Sequence, residues 1–339
     1  MLKFSVLDQS PVRVGGTPAQ AIDETIRLAQ AAETLGYRRY WVAEHHGTEG
    51  FAGSSPEIMV TRVAAATNSI RVGSGGVMLS HYSPLKVAEN FCLLENMFPG
   101  RIDLGIGRAP GSDQNTAAAL AYGNQIGIDY FPTKIADMTA FLAGKPPVSE
   151  PFKAVRVTPV PPEIPEVWLL GSSDQSAAYA AHFGLAYSFA HFIMPYGSEA
   201  VISHYRKNFR PSPVLAEPKV SVGVFVICAE TMKEAEHLAV SRDFWRLKLG
   251  QGQHLPYPSP EEALNYPYTD HERSVVEQSK ANRLVGDPAY IEAQLKAIVA
   301  RHGADELVIL TITYDFAARL RSYELVAEAF GITQRKAAE

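Results

Sequence analysis

The chain of 339 residues carries 46% hydrophobic and 20% charged side chains, and its 31 Lys+Arg against 36 Asp+Glu leave a formal net charge of −5. That composition buries enough apolar surface to offset chain entropy, which excludes intrinsic disorder, and the weakly acidic balance excludes a general electrostatic attraction to nucleic acid or anionic membrane. Cys92 and Cys228 cannot build a disulfide framework, and no apolar run reaches signal-peptide or transmembrane length, so the expectation is a soluble, cytoplasmic protein folded as one unit over residues 1–339.

The apolar pattern switches repeatedly between a period of about two and one of about 3.6, which marks alternating strands and helices. Residues 3–8 (KFSVLD) form the first predicted strand. Thr17, Pro18 and Gln20 then supply a cap, an N1 proline and a capping box for a helix whose Ile22, Ile26, Ala29 and Ala32 share one face. Gly36 stops that helix in a left-handed turn. Further strands are predicted at 38–44, 70–75 and 101–107, with helices at 56–67 and from Ser83-Pro84 to Phe98-Pro99-Gly100 between them. Residues 112–145 read as two helical pieces and 146–165 as a Pro-rich loop with room for one short strand. Strands at 166–170, 185–190 and 219–227 follow, separated by a helix from Ser172 or Ser173 to Phe183 and another at 196–209. A long helix from 231, a Pro/Tyr-rich irregular zone at 251–270 and a helix at 271–283 lead to a helix opened by Asp287-Pro288, a last strand at 306–312 and a terminal helix.

Eight strands, each followed by helical sequence, with insertions after the fourth and seventh, point to an α/β fold closed into a (β/α)8 TIM barrel, because both faces of a parallel sheet have to be covered. A doubly wound open sheet is the alternative. The 251–270 zone is the candidate for a mobile lid. Barrel enzymes place their chemistry at the C-terminal strand ends. Six of these in a row carry polar residues or glycine: Leu7-Asp8-Gln9, Glu44-His45-His46, Ser74-Gly75-Gly76, Gly105 to Arg108, Gly171-Ser172-Ser173 and Ala190-His191-Phe192.

Gly171-Ser172-Ser173 at a helix start offers free backbone N–H groups, hydroxyls and the positive end of a helix dipole, a phosphate cradle for which Arg108 can supply the counter-charge. An ordinary serine N-cap has the same signature. Glu44, His45 and His46 are not read as metal ligands: neighbours on a strand point to opposite faces, and no HxH, HExxH or remote His/Cys pairing supports them. An imidazole acting as acid, base or hydrogen-bond donor over a bound ligand is the better reading, since it titrates near neutrality. The glycines between Gly73 and Gly76 allow close approach to a flat ligand or an unusual peptide geometry, and the run lacks the spacing of a dinucleotide fingerprint.

WVAEHHGTEG (41–50), the stretch from Ser69 to Gly111 with its GSGG and GIGRAPG segments, VWLLGSS (167–173) and VGDP (285–288) resemble, in that order and spacing, the luciferase-like flavin monooxygenase family. The similarity runs over nearly the whole chain. It implies a (β/α)8 barrel, usually a homodimer joined through its second and third helices, that binds reduced FMN or, in some branches, a deazaflavin. His45 is the implied chemical residue, with Glu44 near the flavin or orienting that histidine. Asp8, Ser74, Gly75, Gly76 and Gly107 are expected around the flavin, with a non-prolyl cis peptide at Gly75-Gly76. Arg108, Gly171, Ser172, Ser173 and, one helical turn on, Ser176 are expected at its phosphate. Light-emitting members carry a cysteine where Gly107 stands here, so oxygenation is implied but light emission is not. The implied activity is that of a two-component monooxygenase, in which a separate flavin reductase delivers reduced FMN and O2 reacts with a small organic substrate. A deazaflavin-dependent dehydrogenase and a non-catalytic flavin-binding protein are the alternatives. Phe51, His81, Tyr82, His191 and Phe192 suggest a moderately apolar pocket.

Overall fold

Strands that are apolar on both faces have to be covered on both faces. The computed structural model describes residues 2–109, 111–122, 127–280 and 283–332, and it meets this demand by closing the sheet on itself. In chain order the elements are β1 (Lys3–Asp8), α1 (Pro18–Leu35), β2 (Arg39–Val42), α2 (Pro56–Ala66), β3 (Arg71–Met78), α3 (Pro84–Met97), β4 (Ile102–Gly107), α4 (Gln114–Ala121), α5 (Phe131–Leu142), β5 (Glu166–Gly171), α6 (Asp174–Phe183), β6 (Ala186–Ala190), α7 (Ser198–Asn208), β7 (Val220–Cys228), α8 (Met232–Gly250), α9 (Pro260–Asn265), α10 (Asp270–Lys280), β8 (Leu284–Gly286), α11 (Pro288–His302), β9 (Glu306–Leu310) and α12 (Phe316–Phe330). β1 to β7 and β9 pair in parallel, and the β6–β7, β7–β9 and β9–β1 pairings complete an eight-stranded (β/α)8 barrel.

The helix ends lie where local chemistry places them. Gln20 N–H donates to Thr17 Oγ1 at 3.2 Å, Thr17 N–H donates to Gln20 Oε1 at 2.9 Å, and Gly36 ends α1 at φ 87°. Strand alternation divides the side chains of each strand between two environments. Val6, Tyr40 and Val42 pack outward beneath the helices, whereas Leu7, Trp41 and Trp168 fill the barrel interior.

At the N-terminal end of the barrel that interior is charged. Arg39 is 1% exposed, and it donates from Nη1 to Asp103 Oδ2 and from Nε to Glu306 Oε1, both at 2.7 Å. Arg71 binds the other oxygen of Asp103, Lys219 pairs with Glu166, and Ser5 donates to Glu306. The Arg39 guanidinium also lies 4.9 Å from the ring centre of Trp168, whose ring meets that of Trp41 edge-on at 5.3 Å.

Three features differ from the sequence expectations. β8 and α9 were not foreseen: β8 extends the pairing of β7 past the barrel ring, and Ser259-Pro260 caps a helix inside the zone expected to be irregular. β9 ends at Leu310, before residue 312, and β2 is shorter than 38–44. The middle of the 251–270 zone is fastened down: Tyr257 N–H donates to Val12 O at 2.7 Å and its hydroxyl to Ile312 O at 3.0 Å, which ties the segment across the barrel mouth. Among the described residues, no helix is long and apolar enough to cross a membrane.

Replacing Arg39 by Met removes the buried cation between Glu306 and Asp103, leaving those oxygens only the neutral donors Ser5 and Trp41. The expected loss of stability in urea denaturation is about 3–5 kcal/mol, with R39K intermediate, because breaking one side of a buried ion pair strands the other charge.

Candidate active site

At the C-terminal end of the barrel the same alternation sorts the polar residues that the sequence places side by side. Leu7, Gln9, Trp41, Ala43 and His45 line a cavity of about 340 Å³ together with Glu44, while Asp8 and Ser74, on the other parity, do not. Of these, Asp8 turns away from the cavity altogether. It is buried, and it accepts from Arg319 Nη2 at 2.6 Å, from Tyr40 Oη at 2.5 Å and from Ser10 N–H at 2.8 Å. Burial raises its pKa, but Arg319 and the hydrogen bonds outweigh that and hold it below the ordinary value, so Asp8 is a committed carboxylate outside the cavity. Ser74 likewise spends its hydroxyl on Gly105 O at 2.8 Å and does not line the cavity.

Glu44 and His45 do not pair with each other. One Glu44 oxygen accepts from Tyr82 Oη at 2.7 Å and bonds His46 Nε2 at 2.8 Å, and the other accepts from Met78 N–H at 3.0 Å. The orienting contact to His45 implied by the resemblance is therefore absent, because adjacent strand residues face opposite ways. His45 is held by its backbone N–H on Gly53 O at 2.9 Å and by its ring against Phe51, centroids 4.5 Å apart. Its Nδ1 is shut off from solvent with no hydrogen-bond partner. Burial, with His46 alongside, pushes its pKa from 6.5 down to about 4, so the imidazole is neutral at neutral pH rather than titrating there.

The strand-five loop does form a cradle. Ser173 caps α6, its Oγ accepting from Ser176 N–H at 3.3 Å, and Gly171 admits no side chain because a Cβ there would lie 2.5 Å from Ser176. Arg108 reaches across from β4 to hydrogen-bond Gln175 in the first turn of α6, which brings together Arg108, Ser172 and Ser173. Ser176 lines the cavity, but its hydroxyl is committed to Ser173 O at 2.6 Å and Tyr187 Oη at 2.9 Å. Asp174 adds a carboxylate at the first helical position, a charge that the sequence expectations left out.

The Gly75-Gly76 peptide is cis and the β3–β4 register shifts between Ser74 and Val77. Glycine is required here by close approach: a Cβ on Gly105 would lie 2.1 Å from Ser74 O, whereas one on Gly107 meets nothing nearer than Met78 Sδ at 3.8 Å. A second, outer cavity of about 660 Å³ meets the first at Gln9, His45, Phe192 and Ile193, and the C-terminal half of α8 forms its far wall. Sequence reasoning missed this wall because nothing in α8 marks which of its faces turns toward the barrel. Among the described residues, no group of three or more His, Cys, Asp or Glu could hold a metal ion.

The family model for luciferase-like monooxygenases matches residues 2–306. The chain belongs to the luciferase-like monooxygenase family. Protein YceB of Bacillus subtilis (strain 168) is 42% identical over 330 residues, covering 97% of this chain and all of its own (100%). The N-acetyl-S-alkylcysteine monooxygenase of the same organism is 36% identical over 330 residues, covering 97% of this chain and 98% of its own. Among solved structures, apo-MsnO8 superposes with a TM-score of 0.90 at 39% identity, over 99% of this chain and 100% of that one. Two more distant structures share the fold alone. One is the FMN complex of the oxygenating constituent of 3,6-diketocamphane monooxygenase from Pseudomonas putida (TM-score 0.70, 20% identity, 99% of this chain and 100% of that one). The other is an F420-dependent secondary alcohol dehydrogenase (TM-score 0.65, 14% identity, 97% of this chain and 98% of that one).

Two outcomes follow for this luciferase-like monooxygenase. G105A should lose roughly 1–3 kcal/mol, at the upper end because the obstacle is backbone, while G107A should be near neutral, both read from urea midpoints. His45 binds its proton at about 4 in the folded state against 6.5 unfolded, so the unfolded chain takes up a proton first as pH falls from 6.5 to 4 and stability drops across that window. Denaturation curves for H45Q should show a shallower decline than the wild type between those two pH values.

Proposed function

We propose that this protein is the oxygenase of a two-component monooxygenase that takes reduced FMN from a separate reductase and uses O2 to oxygenate a small organic substrate. The observation that carries the reading is the lining of the inner cavity, which brings Arg108, Ser172 and Ser173 together with Gly75, Gly76 and Gly107, with apolar Leu7, Trp41 and Leu170, and with His45. The residues present fit FMN. A helix N-terminus, two hydroxyls and a guanidinium suit its phosphate, and Gly75, Gly76 and Gly107 leave the backbone open to a flat ring. Bound and reduced, FMN supplies the two electrons that let one oxygen atom of O2 enter the substrate while the other leaves as water.

The protein's own part is to bind, orient and keep water out. Arg108 and the Ser172-Ser173 loop hold the anionic end. Leu7 and Trp41 form the apolar floor. His45, neutral and standing where the two cavities meet, offers a hydrogen bond at the reacting oxygen without adding charge. Glu44 acts as a positioning residue through His46 and Tyr82. The N-acetyl-S-alkylcysteine monooxygenase supports the reaction class, and the FMN complex among the structural neighbours supports the cofactor. We place the working form as a homodimer in the cytoplasm. Ile58 on α2 and Leu93 and Met97 on α3 are 67%, 48% and 45% exposed and provide an apolar face for pairing, which light scattering would test.

The decisive experiment mixes the protein and reduced FMN with aerated buffer and follows flavin reoxidation by absorbance. The expected result is reoxidation slower than for free reduced FMN, with H45A returning toward the free rate while its FMN affinity stays within about threefold of wild type. R108A should weaken FMN by about 10- to 100-fold, the worth of a charge-assisted hydrogen bond. Reoxidation at the free-flavin rate in the wild type overturns the oxygenase reading. Tighter binding of a deazaflavin than of FMN would then favour hydride transfer, the chemistry named for the F420-dependent neighbour.

A further inference from the structure

The outer cavity holds a buried charge that flavin binding does not use. Arg242, on the face of α8 turned to the barrel, lines this cavity and is 7% exposed. Its guanidinium lies flat against Phe225, with Cζ 4.1 Å from the ring centre, and its Nη1 is closed off from solvent with no hydrogen-bond partner. The neighbouring carboxylate, Asp243, forms an ion pair with Nη1 at 3.7 Å, longer than a hydrogen bond, so that its Oδ1 also lacks a hydrogen-bond partner, while its other oxygen is taken by Arg283, which also holds Glu236. Arg246, one turn along α8, adds a further positive charge to the wall. The guanidiniums of Arg242, Arg246 and Arg283 thus gather with the carboxylates of Asp243 and Glu236 on this side of the cavity. Burial and Arg246 push the pKa of Arg242 down only to about 10, so it stays charged at neutral pH. Asp113, on the cavity's other side, is occupied as the N-cap of α4.

A buried guanidinium nitrogen left without a hydrogen bond is unfavourable, and the planar fork of donors on an arginine matches a carboxylate. Phe51, Trp245, Phe192 and Leu310 give the chamber apolar and aromatic walls, among polar Gln9, Thr48, Ser112 and His254. We propose that the outer cavity binds an organic carboxylate whose anionic end is taken by Arg242 and whose apolar body lies on these aromatic walls. Its far end then points to the junction at His45. The binding claim stands on the geometry alone, and the claim that this carboxylate is the molecule oxygenated rests on the monooxygenase reading.

Calorimetric titration of the wild type with 4-phenylbutyrate and 6-phenylhexanoate, each against its primary amide, tests the proposal. The acids should bind at least about tenfold more tightly than the amides, and R242M should bring acid and amide to within about twofold, with R242K retaining part of the preference. FMN affinity in R242M should stay close to wild type, which also shows that the variant is folded. An acid preference that survives in R242M overturns the proposal, as does wild type binding acid no more tightly than amide or neither of them. Loss of FMN affinity in R242M would place the guanidinium on the cofactor and overturn it equally. A wild type that prefers acids but does not bind FMN refutes the oxygenase reading and leaves the carboxylate site standing.

Discussion

Arg39 lies inside the barrel between Asp103, Glu306 and Glu166, beyond the reach of water, and the interior is built upward from it. A charge so placed is tolerable only when its carboxylates are held at hydrogen-bond distance, and those carboxylates come from β4, β9 and β5. The pairing therefore specifies how far apart strands on opposite sides of the ring can stand. Trp168 and Trp41 close over the guanidinium, and Trp41 in turn donates its indole N–H to Asp103 at 2.9 Å. Their upper surface supports the inner cavity. The charged plug, the tryptophan layer and the cavity form one stack along the barrel axis.

Above that stack, the chemistry follows from which way each strand end faces. Gln9 and His45 line the cavities, Asp8 faces away from them, and Glu44 borders the inner one with its oxygens held in a hydrogen-bond network of their own. Neither carboxylate is idle: Asp8 joins β1 to α12 through Arg319, and Glu44 joins the end of β2 to β3 and to Tyr82 just beyond it. Those networks keep the rims of adjacent strands in place, so the inward residues meet the two cavities in a constant relation. The insertion after β7 then converts an open mouth into a walled chamber, with Tyr257 as its fastening and α8 as its far side.

Much of this was legible in the chain. Eight strands, their helices and the two insertions follow from hydrophobic period and from caps such as Thr17 and Ser173, which act over a single turn. The cradle at Gly171, Ser172 and Ser173 was legible for the same reason, and Arg108 came with it. The misplaced residues have a common cause. Asp8 and Ser74, expected around the flavin from the resemblance, lie outside the cavity because alternation carries neighbours to opposite sides of a strand, whereas Glu44 does line it. Ser176 reaches the cavity, but Tyr187 and Ser173 occupy its hydroxyl.

By itself, then, the sequence determined the element order, the parallel closed barrel and the glycine and serine positions at the strand ends, because each depends on patterns within a few residues. Tertiary structure alone decided that His45 is neutral, that Asp8 belongs to Arg319 across 311 residues of chain, and that Arg242 stands in the wall of the outer cavity with its Nη1 lacking a hydrogen bond. These depend on which surfaces close around a side chain and which charges arrive from distant elements. Burial and partner choice are properties of that assembled environment, and no local pattern encodes them.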